Sequence, residues 1–492
     1  VQFKTFREVI EEARAYHTQA QNPEGFHSRD DRRLVYAKAE RCYHWCLEQL
    51  PEDPFVLGSL GSLYVEIGKW GLGVSLLLTA CRLQPDEPAN WNALGAGLRR
   101  MDKLDDARDA LKKSLDLSRD DLDRARVCHN IASTYINEGE PWTAVEWAEK
   151  GLKLDPENKQ IRFNLGLAQL ELGDFANGWD GYEMGRIATT WARNYSHPGR
   201  EVVPWDGSPG KNLVVFGEQG VGDEVLFAHA IPDLLKIAKS VIIECHPRLV
   251  NIFKRSFPEC TVYGTRKDEE ITWPRDHDID AKVPIGSLHR FFRRDRTAFP
   301  VFPSGYLKPD PALVGQLSGD ARLLRVGLSW IGGTRDTHVS LRSMPLDRLE
   351  PILTVPGIEF VSLQYTEGAA KEVEAARAKG WNISHDPEIN EGVDPAPGKR
   401  KQGDMDKLFA TIAGLDMIVT VLTSNVHFAG SMGIPAWCLT PIKAPWQFMQ
   451  DSMPWYPQHR LYRQQAHGEW DGVINTIARD LVYVAEAKRA TG

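Results

Sequence analysis

An aspartate follows a short glycine run at Gly220-Val221-Gly222-Asp223, where an apolar segment (213–216) gives way to an amphipathic one that starts near 222. Glycines let a backbone approach a ligand closely, and a carboxylate beside them is placed to take a proton from a hydroxyl as a general base. Glu218 is the rival carboxylate and Gln219 a hydrogen-bonding group for an acceptor, while an aspartate at a helix start also serves as an N-cap. A second group lies further on. Gly332 and Gly333 end the run VGLSWIGG and bring backbone amides within reach of an anion. Arg342 and Ser343 lie between that turn and a helix expected near Pro345; a guanidinium there neutralises two oxygens at once or forms a surface or interdomain ion pair, with Arg335 as its substitute. Thr423, Ser424, Asn425 and His427 form a third group, in which hydroxyls and amides at a helix N-terminus make a cradle for phosphate. His427 either contacts the ligand or orients the loop.

Other patterns are weaker. The run Asp276-His277-Asp278-Ile279-Asp280 has metal-ligand residue types, but it alternates into an expected strand without a converging set, so no metal site is assigned. Trp437, Trp446 and Trp455 read as core and cleft-wall packing, with Trp446 or Phe448 as residues that could border a base. The seven cysteines are scattered, several within apolar stretches, and form neither a CxxC pair nor zinc spacing, which favours a reducing compartment. With 59 Lys+Arg against 67 Asp+Glu, interleaved along the chain, a polyanionic partner such as nucleic acid is disfavoured. The first residues show no basic leader with an apolar run, and no stretch has the length of a membrane span, so a cytoplasmic protein is expected.

Two kinds of element must position these residues. In the first 190 residues, Leu60-Gly61 with Tyr64 and Gly68 recurs 34 residues later at Leu94-Gly95, then at Ile131-Ala132 with Tyr135 and Gly139, and again at Leu165-Gly166 with Gly173. That period is the tetratricopeptide-repeat (TPR) helix pair. Small residues at 39, 73, 107, 144 and 178 allow close helix packing, and Pro51, Pro85 and Pro156 end second helices. A degenerate first unit spans about 5–50, with a loop over QNPEGFHSRDD. Stacked pairs create a concave groove, and Asn92, Asn130 and Asn164 recur on first helices, where they hold a peptide backbone or bridge neighbouring repeats. No repeat residue is assigned a ligand.

After a junction at about 197–210, strands are expected at 213–216, 241–245, 261–263 and 279–286, and in a second series at 326–333, 360–365, 417–421 and 435–439, with helices between them. Two α/β domains with a cleft at the carboxyl ends of parallel strands follow, a layout suited to a two-substrate transferase.

The segment from about Leu172 to Trp470 resembles the TPR-associated branch of the heptosyltransferase-like GT-B glycosyltransferases. ELGDFANGW, GEQGVGDEVLFA, VGLSWIGG, LRSMPL, VSLQ, LDMIVTVLTSNVHFAGSMGIPAW and DSMPWYP carry the resemblance in this order. With the TPR α-solenoid that the repeats place over 1–190, it implies a GT-B fold of two Rossmann-like domains, 191–320 on the acceptor side and 321–492 binding a nucleotide sugar and ending in a helix. It further implies inverting transfer from a nucleotide-sugar co-substrate with no metal and no other cofactor. Asp223 matches the family's catalytic aspartate and Arg342 its phosphate-contacting basic residue. The family has an aspartate before the threonine of the donor loop, whereas this chain has Leu422 before Thr423. The architecture is similar to that of protein O-glycosyltransferases, including bacterial enzymes that glycosylate flagellin, so a protein acceptor selected by the repeats, with flagellin as a candidate, is the leading expectation. A saccharide or lipid-linked glycan transferase, and a scaffold that binds nucleotide sugar without turnover, are the alternatives.

Overall fold

The computed structural model describes residues 5–22, 29–187, 195, 202–217, 220–265, 271–315, 320–333, 342–366, 368–390, 404–450, 452–466 and 468–491. Contacts divide the chain into two compact units, Val1–Thr190 and Trp191–Gly492.

The first unit is a run of helix pairs: α1 (Phe6–Gln21) with α2 (Arg29–Gln49), α3 (Pro54–Glu66) with α4 (Trp70–Leu83), α5 (Pro88–Arg100) with α6 (Leu104–Leu117), α7 (Asp121–Glu138) with α8 (Pro141–Leu154), and α9 (Lys159–Glu171) with α10 (Phe175–Ile187). Their ends follow local chemistry. Asp53 and Asn158 cap α3 and α9 by accepting from the amides of Val56 and Ile161 (2.9 and 3.0 Å), and Pro54, Pro88 and Pro141 occupy first turns, where no amide donor is needed. Helix α2 begins at Arg29, inside the segment expected to be loop. Ala39, Ala107 and Ala144 are at most 1% exposed, as close helix packing requires. The recurring asparagines bridge repeats: Asn130 Nδ2 donates to Asn92 Oδ1 (2.8 Å) between α7 and α5, and Asn164 Nδ2 donates to Ser133 Oγ (2.6 Å) between α9 and α7.

The second unit holds two all-parallel sheets. Strands β1 (Val203–Pro204), β2 (Asn212–Phe216), β3 (Ser240–Cys245), β4 (Thr261–Gly264) and β5 (Ala281–Pro284) lie in the order β1-β5-β2-β3-β4. Strands β6 (Leu324–Ser329), β7 (Ile358–Ser362), β8 (Ile383–His385), β9 (Met417–Val421), β10 (Ala436–Thr440) and β11 (Arg460–Arg463) lie in the order β11-β10-β9-β6-β7-β8. The covering helices are α11 (Val221–Phe227), α12 (Ile231–Leu235), α13 (Val250–Ser256), α14 (Leu288–Phe292), α15 (Glu350–Leu353), α16 (Ala369–Ala378), α17 (Pro387–Asn390), α18 (Met405–Ala413), α19 (Ser424–Ser431) and α20 (Asp471–Thr491). The single helix expected from 222 to 238 is broken by a 3₁₀ turn at Ala228–Ala230, because Pro232 has no amide to continue the ladder. Parallel strands covered on both faces need continuous apolar runs, and all five residues of β9 are buried.

The chain is therefore an α-solenoid of TPR-like pairs joined to two Rossmann-like sheets, an architecture of GT-B type. In the second sheet the strand order reverses between β6 and β9, and in the first between β2 and β5. Ligands of open parallel sheets bind outside the carboxyl ends of strands at such reversals. The loops there are those beginning at Gly217, Trp330 and Leu422.

Candidate functional site

On the first sheet, the chain leaves β2 at Gly217 and enters α11 at Val221; Glu218 and Gln219 lie outside the described residues, as does Arg335 further along. Asp223 stands in the first turn of α11, partly exposed, and its Oδ2 accepts from the Gly220 amide at 3.2 Å. It thus caps its own helix while keeping carboxylate surface open to solvent. Glu224, which sequence reasoning passed over, is buried (4% exposed); its Oε2 accepts from the His246 amide at 2.8 Å and its carboxylate packs against Gly217. This residue ties the loop after β2 to the end of β3. An acidic residue inside the apolar run GDEVLFA is the signal that marks it.

On the second sheet, the loop after β6 is held from below by Gln364. That side chain is fully buried; its Oε1 accepts from the amides of Trp330 and Ile331 (both 2.9 Å), and its Nε2 donates to Ile331 O and Thr366 Oγ1 (both 3.1 Å). Trp330 is anchored a second time, through Nε1 to Glu372 Oε2 at 2.8 Å. At Gly332 a side chain would collide with its surroundings: a Cβ would lie 2.7 Å from Thr423 Cγ2 and 2.9 Å from Leu422 O. The glycine therefore lets the ends of β6 and β9 meet. Its amide, expected to face an anion, donates instead to Ser343 Oγ (3.0 Å), whose hydroxyl returns a bond to Gly332 O (3.2 Å). Gly333 has φ +89°, a conformation glycine adopts at no steric cost. Arg342 precedes Ser343 and is partly buried; burial lowers the pKa of its guanidinium, and the neighbouring Tyr365, half exposed in the loop after β7, acts in the opposite sense.

At the end of β9, Leu422, where the resemblance leads one to expect an aspartate, is buried (2% exposed). Thr423 caps α19, its Oγ1 accepting from the Asn425 amide at 3.2 Å. Asn425 is buried and donates to Ser329 Oγ (2.8 Å) and Leu363 O (3.1 Å), joining the ends of β9, β6 and β7 rather than offering its amide donors to a ligand. His427 lies against the rings of Phe448 and Tyr456, with centroids 5.9 and 6.0 Å away. Burial, with the nearby His459, holds its pKa down to about 3, so at neutral pH it brings no positive charge to a phosphate. Phe448 belongs to this packing and is 2% exposed, while Trp446 packs edge-on to Trp455. The 276–280 run is occupied locally: Asp278 and Asp280 accept from Asn212 at 3.1 and 2.7 Å, and His277 meets Tyr263 OH at 2.7 Å. Among the described residues, no three His, Cys, Asp or Glu side chains converge as a metal site would require.

The two sheets' loops meet at Gly222 and Ser424. A Cβ on Gly222 would lie 2.9 Å from Ser424 Oγ, so the first turns of α11 and α19 touch only because that residue is glycine. Tyr306 fixes this contact: its hydroxyl donates to Val225 O in α11 (2.8 Å) and lies 3.0 Å from Tyr456 OH, while its amide and that of Leu307 donate to Ser431 O in α19 (2.7 and 2.9 Å). A second tie runs from Trp455 Nε1 to His289 Nε2 (2.9 Å). The structure thus brings together Gly222, Asp223, Gly332, Ser343, Thr423 and Ser424, and buries His427 of α19 against Phe448 and Tyr456.

With this geometry in view, a tetratricopeptide-repeat model matches residues 125–158, which span most of α7 and all of α8. Among solved structures, the chain is similar to a mutant of the Thermobaculum terrenum O-GlcNAc transferase, with 16% identity, 99% of this chain and 93% of that one covered, and a TM-score of 0.34. It is also similar to a thermophilic TPR protein of Thermus thermophilus, with 16% identity over 37% of this chain and 91% of that one and a TM-score of 0.32. Along the whole sequence, it is 25% identical over 501 residues to Protein FlbA of Caulobacter vibrioides, covering 91% of this chain and 81% of that protein. The class that fold and site define is a TPR array joined to a GT-B-like pair of domains; nothing in the two sheets is particular to heptosyltransferases. Among the described residues, no helix is long and apolar enough to cross a membrane.

Proposed function

We propose that this chain is an inverting, metal-independent glycosyltransferase that moves a sugar from a nucleotide-sugar donor to a protein acceptor held by the repeats. Residues 191–320 serve the acceptor side and 321–492 the donor side. The observation that carries the reading is the meeting of the α11 and α19 first turns at Gly222 and Ser424, outside the order reversals of both parallel sheets. A nucleoside diphosphate lies along the loop after β6 and the N-terminus of α19, where Ser424 and the helix dipole favour negative charge, with Arg342 neutralising the leaving group. Gly220, Gly222, Gly332 and Gly333 keep the backbone open to it. Ser343, Thr423 and Asn425 hold the loops in place. Asp223, across the cleft, takes the proton of the acceptor hydroxyl as its oxygen forms the bond to the anomeric carbon; the bond from that carbon to the diphosphate breaks on the opposite face, and the pair of electrons leaves with the diphosphate. Glu218 is the alternative base.

The test is a screen of nucleotide sugars by titration calorimetry, followed by transfer to polypeptide with the product's anomeric configuration read by NMR, with and without chelator. Release of nucleoside diphosphate with inversion, unchanged by chelator, supports the reading. Retention of configuration or loss of activity on chelation contradicts it. A second reading, nucleotide-sugar binding without turnover, is favoured by buried Leu422, and its mark is donor affinity with neither transfer nor hydrolysis.

A further inference from the structure

The second helices of the repeats align on their buried small residues, Ala39, Gly73, Ala107 and Ala144. In that register the exposed outward positions of the helices flanking α4 are charged: Lys38, Arg41 and Glu48 on α2, and Asp106, Asp109 and Lys112 on α6. Charge also covers the outward side of α8. On α4 the same positions hold Leu72, Ser75, Leu78, Thr79 and Arg82. Leu72 and Leu78 are 59% and 54% exposed. A surface helix ordinarily turns a polar side to water, so α4 leaves apolar area exposed where its siblings do not. A cavity of about 350 Å³ is lined mainly by the first helices α3, α5 and α7, and none of these outward residues borders it.

Gly71 sharpens the contrast. A Cβ there would meet nothing within 4 Å, so the chain's own packing has no need of glycine, and alanine would favour the helix more. At the helical period of 3.6, Ser75 stands in the middle of the exposed face, with Gly71 and Leu78 on one side and Leu72 and Thr79 on the other. A small-residue centre flanked by leucines is a surface that another helix packs into. A second α4 fills it. When two copies run parallel about a two-fold axis along α4, each side of one helix lies over the opposite side of the other. Leu72 then falls over the partner's Gly71, and Leu78 beside the partner's Thr79, large against small. Association that persists in solution buries about 800 Å² on each partner, roughly 20–30 residues, which is more than one helix offers, so α2 and α6 must join the contact. The same axis sets α2 of each copy opposite α6 of the other. Lys38 shares its repeat position with the partner's Asp106, and Arg41 with the partner's Asp109, so opposite charges stand at matching levels. Glu48 shares a level with the partner's Asp116 but stands about one turn from the partner's Lys112. An axis across α4 would instead set α2 against α2, with like charges facing.

We propose that the outer face of α4, flanked by α2 and α6, joins two copies of this chain in parallel about a two-fold axis. This pairing is independent of any transfer chemistry, and it leaves the cavity between the first helices uncovered in both copies.

Sedimentation velocity of the full chain across micromolar concentrations tests the pairing. The wild type should reach twice the monomer mass as concentration rises. Leu72→Asp with Leu78→Asp should raise the dissociation constant by at least about a hundredfold, as loss of the desolvated centre of an interface does. Gly71→Leu, which favours the helix but fills the hole, should raise it by about tenfold or more. Lys38→Glu with Arg41→Glu, and separately Asp106→Lys with Asp109→Lys, should each weaken pairing by about tenfold, and all four changes in one chain should restore it. Thermal melts at dilutions where the wild type is monomeric separate a lost contact from a folding defect, and Gly71→Leu decides the matter if the aspartates unfold the repeat. A wild type that stays monomeric throughout overturns the proposal and leaves the face to a different protein. A dimer undiminished by the aspartate pair or by Gly71→Leu places the contact elsewhere and overturns it too. Weakening by both charge reversals without recovery in the fourfold variant overturns the parallel arrangement.

Discussion

Replacing Gln364 with leucine removes a buried clamp without opening a large cavity, and its effect can be worked from the four bonds that the amide makes. Two of them satisfy the amides of Trp330 and Ile331 on the fully buried Oε1, and a third satisfies Ile331 O. An orphaned buried donor costs about 1–3 kcal/mol, so the two amides alone predict a loss of about 2–6 kcal/mol unless the loop moves to reach water. Domain stabilities of about 5–15 kcal/mol leave room for the fold to survive such a loss, with the loop after β6 displaced. Hydrogen exchange read by mass spectrometry should show protected amides at 330–331 in the wild type and a protection loss of at least about tenfold in Gln364→Leu, with weakened donor affinity. Gln364→Glu keeps an acceptor for both amides but sets its second oxygen against Ile331 O, and should also destabilise. Unchanged exchange and melting in Gln364→Leu would refute the clamp.

Three further predictions follow from the same packing. Gly222→Ala places a methyl 2.9 Å from Ser424 Oγ and 3.3 Å from Ser424 Cα, so it should cost about 1–3 kcal/mol and reduce transfer, with partial recovery in the Gly222→Ala, Ser424→Gly double variant; additive losses would contradict the contact. Arg342→Ala should weaken binding of whichever nucleoside diphosphate the wild type takes by about 1.5–3 kcal/mol in calorimetry, and equal affinity would remove it from the donor site. His229, His427 and His459 are buried with pKa held near 3, 3 and 4, and His289 lies well below its ordinary value, in each case chiefly through burial. The unfolded chain, with histidine pKa near 6.5, then binds more protons, so stability should be full above about pH 7 and fall as pH drops from about 6.5 towards 4. Four such groups predict a loss on the order of 5 kcal/mol between pH 7 and 5.5, measurable by denaturant unfolding; a flat profile would mean that these rings are hydrated.

Much of the fold was legible because it depends on apolar period. The 34-residue repeat located the helix pairs, and the apolar runs at 213–216, 241–245 and 417–421 fall within β2, β3 and β9. Short edge strands carry little pattern: β8 and β11 have three and four residues and escaped notice. Of the candidate site, Gly222, Gly332 and Thr423 were readable from glycine and hydroxyl placement. Their physical reasons differ in part from those expected, since Gly332 is needed for strand packing and its amide is taken by Ser343. Gln364 and Asn425 could not be read as clamps, because their partners come from strands tens of residues away in sequence. The burial of His427 likewise comes from Phe448 and Tyr456, in a segment with no local signal pointing back to α19.

The most direct test of the account is single-turnover transfer at saturating donor and acceptor, followed by intact mass, for the wild type and Asp223→Asn. Asparagine preserves an oxygen to accept from the Gly220 amide, so folding should be little changed, while a base able to take the acceptor's proton is lost. The account predicts a product heavier by one sugar in the wild type and a rate lower by about 10²–10⁴ in Asp223→Asn, with unchanged donor affinity. Equal rates in the two proteins, or a wild type that binds donor yet never transfers or hydrolyses it, would contradict it.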